Sequence, residues 1–197
     1  MAIKPSNVYQ FKITLQEVKP KIWRCIQVPS NYSFWDLHVA IQDVMGWQDY
    51  HLHQFEIINP ETGKKDSIGI PDDEDYEEII PGEQAKISRY FLSTKDKASY
   101  DYDFGDRWRH EIVLEAILPK VIDIKYPQCI AGERACPPED CGGVWGYKNL
   151  LKIIKNPNHK EFKETIEWLG RVFDPEDFDR KSVLFDNPKK RWKIAFE

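Results

Sequence analysis

Tyr9, Phe11, Ile13 and Leu15 alternate with Gln10, Lys12 and Thr14, a period of two that predicts a strand with one buried face. A short turn at Lys19-Pro20-Lys21 leads into Ile22 to Val28, which reads as the returning strand of a hairpin stopped by Pro29. The period then changes. Ser33-Phe-Trp-Asp36 places an acid three residues after a serine, the spacing of an N-terminal helix cap. Phe34, Leu37, Ile41 and Val44 or Met45 follow at helical spacing, and Gly46 suits a left-handed stop. Phe55 and Ile57 open another strand. The order strand, strand, helix, strand within sixty residues predicts an α+β roll, β-grasp-like in its N-terminal half.

Downstream, Ile87 to Leu92 and Tyr100 to Phe104 read as strands. Trp108, His110, Ile112 and Leu114 alternate with Arg109, Glu111, Val113 and Glu115 in a long strand that ends before Pro119, and Asp103 to Arg107 is the tight turn preceding it. Beyond a cysteine-rich loop at 126–146 the spacing is helical. Trp145 to Lys155 is stopped by Asn156-Pro157, Phe162, Ile166 and Leu169 mark a second helix ended by Gly170, and Pro175 to Phe185 reads as a third. The expected architecture is one domain over residues 1–197. It comprises a mixed or antiparallel roll over about 8–118, the loop, and a helical part over 145–197. Asp72-Asp-Glu-Asp-Tyr-Glu-Glu78 lacks the glycine and ligand alternation of a calcium loop and reads as a solvated excursion.

Charge alters the picture of partners. A net charge of −5 disfavours nonspecific nucleic-acid binding, which needs clustered cations against phosphate. No apolar run approaches the ~20 residues of a membrane span. Met1-Ala-Ile-Lys-Pro lacks the apolar core of a secretory signal, so a cytoplasmic location is expected. In that compartment clustered cysteines favour metal over disulfides.

Three constellations offer chemistry. Cys129, Cys136 and Cys141 supply three thiols that, with one of His51, His53 or His110, would complete a tetrahedral zinc site. His51-Leu-His53 in a strand would put two imidazoles on one face. Asp103, Asp106 and His110 around Gly105 combine a turn with a carboxylate–imidazole pair, and Glu139 and Asp140 precede Gly142-Gly143 at a helix start able to receive an anion. Lys189-Lys-Arg-Trp-Lys193 reads as a helix end and solvated tail. No Walker loop and no Gly-x-Ser-x-Gly elbow is present.

Ile22-Trp-Arg24, Leu37-His38, Gly46-Trp47, His51-Leu-His53-x-Phe55, Tyr102-Asp-Phe-Gly-Asp106-x-Trp108-x-His110 and Cys136-Pro-Pro-Glu-Asp140-Cys-Gly-Gly143 with Gly146-Tyr147 occur in order. Together they resemble the plasmid pRiA4b ORF-3-like family, from about Tyr9 to the C-terminal helices. The resemblance implies an α+β domain associated with plasmids and mobile elements, and it carries no catalytic residues. The first expectation is a non-enzymatic binding module for a protein, peptide or small-molecule ligand, with His51, His53, Asp103, Asp106, His110, Glu139 and Asp140 converging on one side of the roll. A metal-dependent hydrolase, with Glu139 or Asp140 as base, and a nucleic-acid-binding accessory protein are the alternatives.

Overall fold

A computed structural model describes residues 7–71 and 78–196, so the acidic run at 72–77 and the extreme N-terminus lie outside the described residues. The first hairpin forms as the alternation predicts: β1 (Asn7–Leu15) pairs antiparallel with β2 (Trp23–Pro29), with Phe11 opposite Ile26 and Ile13 opposite Arg24. Helix α1 (Phe34–Met45) begins at a full capping box, in which Ser33 Oγ accepts from Asp36 N and Asp36 Oδ2 accepts from Ser33 N. Such a cap contributes about 1 kcal/mol. Gly46 ends the helix in the left-handed region.

The chain continues through β3 (His53–Ile58), β4 (Lys65–Gly69), β5 (Ile79–Pro81), α2 (Ile87–Tyr90), β6 (Lys97–Tyr102), β7 (Trp108–Pro119) and β8 (Gln128–Glu133). These strands make one eight-stranded mixed sheet in the order β5-β4-β3-β6-β7-β1-β2-β8, antiparallel except for β4 with β5. The α+β class holds. The β-grasp-like detail is not carried over, because β1 pairs with β2 and β7 while β3 lies three places away between β4 and β6. On β7, Trp108, His110, Ile112 and Leu114 are buried as their spacing demands. The inward positions of the central strands face α1, ten of whose twelve residues are buried.

Three expectations change. Ile87 to Leu92 is not a strand: Ile87 and Phe91 are both buried, and Phe91 N donates to Ile87 O, so the pair closes one helical turn. A four-residue apolar spacing read on its own cannot separate the two conformations. Pro175 to Phe185 forms turns instead of a helix, and Asp174 and Asp179 side chains accept the backbone amides of Glu176 and Lys181 there. The third C-terminal helix comes later. After α3 (Gly143–Ile154) and α4 (Phe162–Leu169), α5 (Pro188–Phe196) is formed by the basic run expected to be a tail. Trp192 and Phe196 pack on Trp35, and Arg191 pairs with Asp43, which fixes α5 against α1. No helix of the described residues is long and apolar enough to cross a membrane.

Candidate functional site

The loop between β8 and α3 is held by a buried cation. Arg24 occupies an inward register of β2 and is 1% exposed. Its Nε donates to Val44 O, Nη1 to Trp23 O and Glu133 O, and Nη2 to Arg134 O and Cys136 Sγ. All five guanidinium donors are thereby used. Trp47 Nε1 donates to Pro137 O at 2.9 Å, and Glu139 accepts from Gln48 N at 2.8 Å and from the Tyr102 hydroxyl at 2.5 Å. Glu139 thus acts as a clamp between the loop, the end of α1 and β6.

Beside this clamp the turn after β6 meets the loop. Asp103 adopts φ 58°, and its Oδ1 accepts from Gly105 N and Asp106 N. Asp106 in turn accepts from Gly142 N at 3.1 Å, so the amide expected to receive an anion at the start of α3 is already satisfied. His51 lies between the two segments, with Nε2 at 3.1 Å from Asp140 Oδ1 and 3.7 Å from Asp103 Oδ2.

The other expected site residues go elsewhere. His51 and His53 do not share a face. His53 is buried and stacks on His38, with ring centroids 3.5 Å apart and planes 8° apart. His38 bridges Asp49 Oδ1 at 2.7 Å and the Tyr100 hydroxyl at 2.8 Å. His110 is buried beneath Trp47 and Tyr100. The seven expected binding residues therefore separate into His51 and Asp140 at the surface with the buried Asp103 beside them, Asp106 and Glu139 as ties, and His53 and His110 in the core.

The three thiols are also dispersed. Cys129 lies on β8, Cys136 packs on Met45 and Arg24, and Cys141 precedes α3. Among the described residues no cysteine belongs to a cluster of three donors close enough to share an ion. Burial raises all three thiols, Cys141 to about 12 with Asp106 adding to the effect, so they stay protonated at neutral pH. The His and carboxylate groups are where ligand-type donors meet: His51 with Asp103 and Asp140, and His38 with Asp49 and His53.

The buried histidines make stability depend on pH. Burial lowers His38 and His53 well below 6.5 and His110 to about 4, so between those limits the unfolded chain binds protons that the folded chain refuses. Their contribution is complete above about pH 6.5 and is lost as pH falls. Asp49, raised to about 6 by burial, works the other way and offsets one of the three. Urea denaturation at pH 7 and pH 4.5 is expected to show a loss of at least about 3 kcal/mol, which His110 alone supplies and which one further buried histidine enlarges after Asp49 has offset the other. A flat profile over that interval contradicts the neutral assignment.

On the far side of the Glu139 clamp, a cleft of about 650 Å³ separates the Cys136–Asp140 loop and the end of α1 from residues 168–184. Asp43, Glu139, Asp140, Asp174, Asp177 and Asp179 line it, against Arg24 and Arg171. Trp168, Val172 and Leu184, which are 51%, 93% and 84% exposed, add an apolar strip. Sequence reasoning missed this cleft, since its walls come from opposite ends of the chain and no local motif spans them.

The family model for plasmid pRiA4b ORF-3-like protein matches residues 7–182. Uncharacterized protein y4hQ of Sinorhizobium fredii strain NGR234 is 32% identical over 186 residues, covering 94% of this chain and 90% of the relative. The crystal structure of a protein of unknown function, MM3350 from Methanosarcina mazei Go1, is similar with a TM-score of 0.85 and 48% identity, covering 92% of this chain and all of that one.

Proposed function

The chain belongs to the plasmid pRiA4b ORF-3-like family, and for this member we propose a non-enzymatic binding function, in which the cleft between the Cys136–Asp140 loop and residues 168–184 receives a basic polypeptide segment that also carries apolar side chains. One observation carries this reading: the cleft combines an acidic lining with an exposed apolar strip. Six carboxylates line it against two arginines; Asp43 is paired with Arg191, while Asp174, Asp177 and Asp179 make no ion pair among the described residues. Asp177 has no side-chain hydrogen bond or ion pair among the described residues, which leaves its charge free for a ligand. Covering Val172 and Leu184 supplies about 1.5–3 kcal/mol for each side chain fully removed from water. Rim carboxylates add steering and discrimination more than affinity. The hydrolase alternative has less support, because Glu139 already accepts from Tyr102 and Gln48.

Fluorescence anisotropy with a labelled peptide of alternating Lys and Leu tests the proposal. That peptide is expected to bind at least ~10-fold tighter than its Glu-for-Lys counterpart, weakening as salt rises. Asp177→Lys should cost a further ~10-fold and Leu184→Asp a similar amount, both without change in thermal melting. Equal binding of the two peptides, or indifference to both substitutions, counts against the cleft.

A further inference from the structure

The geometry points to His51 Nε2, Asp103 Oδ2 and Asp140 Oδ1 as three ligands of a divalent transition-metal ion, in a site open to solvent that shares only Asp140 with the rim of the cleft. The donor spacing is the first argument. Ligands about 2.1 Å from one ion stand roughly 3.0–3.4 Å from their neighbours in tetrahedral or octahedral geometry. His51 and Asp140 are already 3.1 Å apart, and the 3.7 Å between His51 and Asp103 closes with a shift of a few tenths of an ångström. All three donors lie within 4.8 Å of one another.

Asp103 supplies a second, separate argument. Its side chain is only 10% exposed, yet its two oxygens are used unequally. Oδ1 holds the turn through Gly105 N and Asp106 N, whereas Oδ2 accepts no hydrogen bond and has His51 beyond hydrogen-bonding reach. Solvent reaches this oxygen, so it is open to a cation while Oδ1 holds the carboxylate in place. The frame around it is rigid. Asp103 N donates to Leu52 O, and the Glu139 clamp fixes the residue before Asp140, so the ligands are held from behind as metal donors need. Access is open, since the side chains of His51 and Asp140 are 30% and 66% exposed.

The buried trio of His38, Asp49 and His53 fits an ion less well. Its imidazoles stack nearly parallel, so their in-plane lone pairs run side by side and do not converge, and Arg191 Nη1 already stands 3.9 Å from Asp49. At the surface, one imidazole with two carboxylates selects Zn²⁺ or Mn²⁺ over Mg²⁺ and Ca²⁺, which prefer oxygen alone. Three protein ligands leave positions for water or for a donor brought by a ligand.

Isothermal titration of the metal-stripped full chain with Zn²⁺, Mn²⁺ and Mg²⁺ is the test. One ion per chain is expected, with Zn²⁺ tightest and Mg²⁺ weakest. His51→Ala and Asp103→Asn should each weaken Zn²⁺ by at least ~10-fold. Neither residue lines the cleft, and the asparagine keeps an amide oxygen for the turn. Should either variant melt abnormally, Asp140→Ala at an exposed side chain replaces it, with the same expected loss. Cys136→Ser should leave the affinity unchanged. Absence of Zn²⁺ and Mn²⁺ binding at millimolar concentration overturns the site, as does binding that survives the ligand substitutions or vanishes in Cys136→Ser. Peptide binding by His51→Ala reports on the cleft separately.

Discussion

Arg24→Ala is expected to lower folding stability by about 4 kcal/mol or more, a large share of the 5–15 kcal/mol typical of a domain. The side chain gathers the carbonyls of Trp23, Val44, Glu133 and Arg134 into one point, so its loss strands several acceptors at a cost of about 1–3 kcal/mol for each that water cannot reach. It also removes the cation lying 3.7 Å over the Phe178 ring, which ties residues 168–184 to the sheet. Arg24→Lys keeps the charge but cannot span five acceptors from one planar fork, and should lose more than half as much stability. Urea denaturation of both variants measures this directly. A loss below about 1 kcal/mol for the alanine would mean that the loop is anchored by other contacts.

Gly146→Ala should cost about 3 kcal/mol for a different reason. A Cβ at Gly146 would stand 1.8 Å from Cys141 O, so the first turn of α3 and the loop before it cannot keep their distance. Moving Cys141 disturbs Asp140 on one side and the Gly142 amide held by Asp106 on the other. Reduced Zn²⁺ affinity should therefore accompany the lost stability. Gly170→Ala is the control. A Cβ there meets nothing within 4 Å, and its φ of 61° predicts a penalty of only about 1 kcal/mol. Equal penalties for the two glycines would remove the close approach as the explanation.

Local pattern carried much of the fold. The alternation of β1 and β7, the Ser33 cap and the glycine stops at Gly46 and Gly170 all depend on residues within one element, and all form as their spacing demands. Strand β4 was invisible because Lys65, Asp66 and Ser67 carry no apolar period and its conformation comes from pairing with β3, while the three-residue β5 is too short to show a period and is held by pairing with β4. Arg24 left a legible trace, a charge on the inward register between Ile22 and Ile26. The candidate site was legible only in part. The turn at Asp103 and the loop at Asp140 each stand out as motifs, and their meeting at His51 depends on sheet order, which spacing does not encode. Histidine spacing misled for the same reason: His53 begins β3 facing the core, whereas His51 lies before the strand and escapes its alternation. The cysteines misled because proximity in sequence stood in for proximity in space, and β8 draws Cys129 into the sheet away from the loop.

The most direct test of the binding account is a ¹H–¹⁵N NMR titration of the full chain with the Lys-Leu peptide. Shifts concentrated at Trp168, Val172, Asp177 and Leu184, together with Gln48 across the cleft, are the predicted result. Unchanged spectra at saturating peptide, or shifts on the open sheet face around Glu56, Ser99 and Glu111, would contradict it.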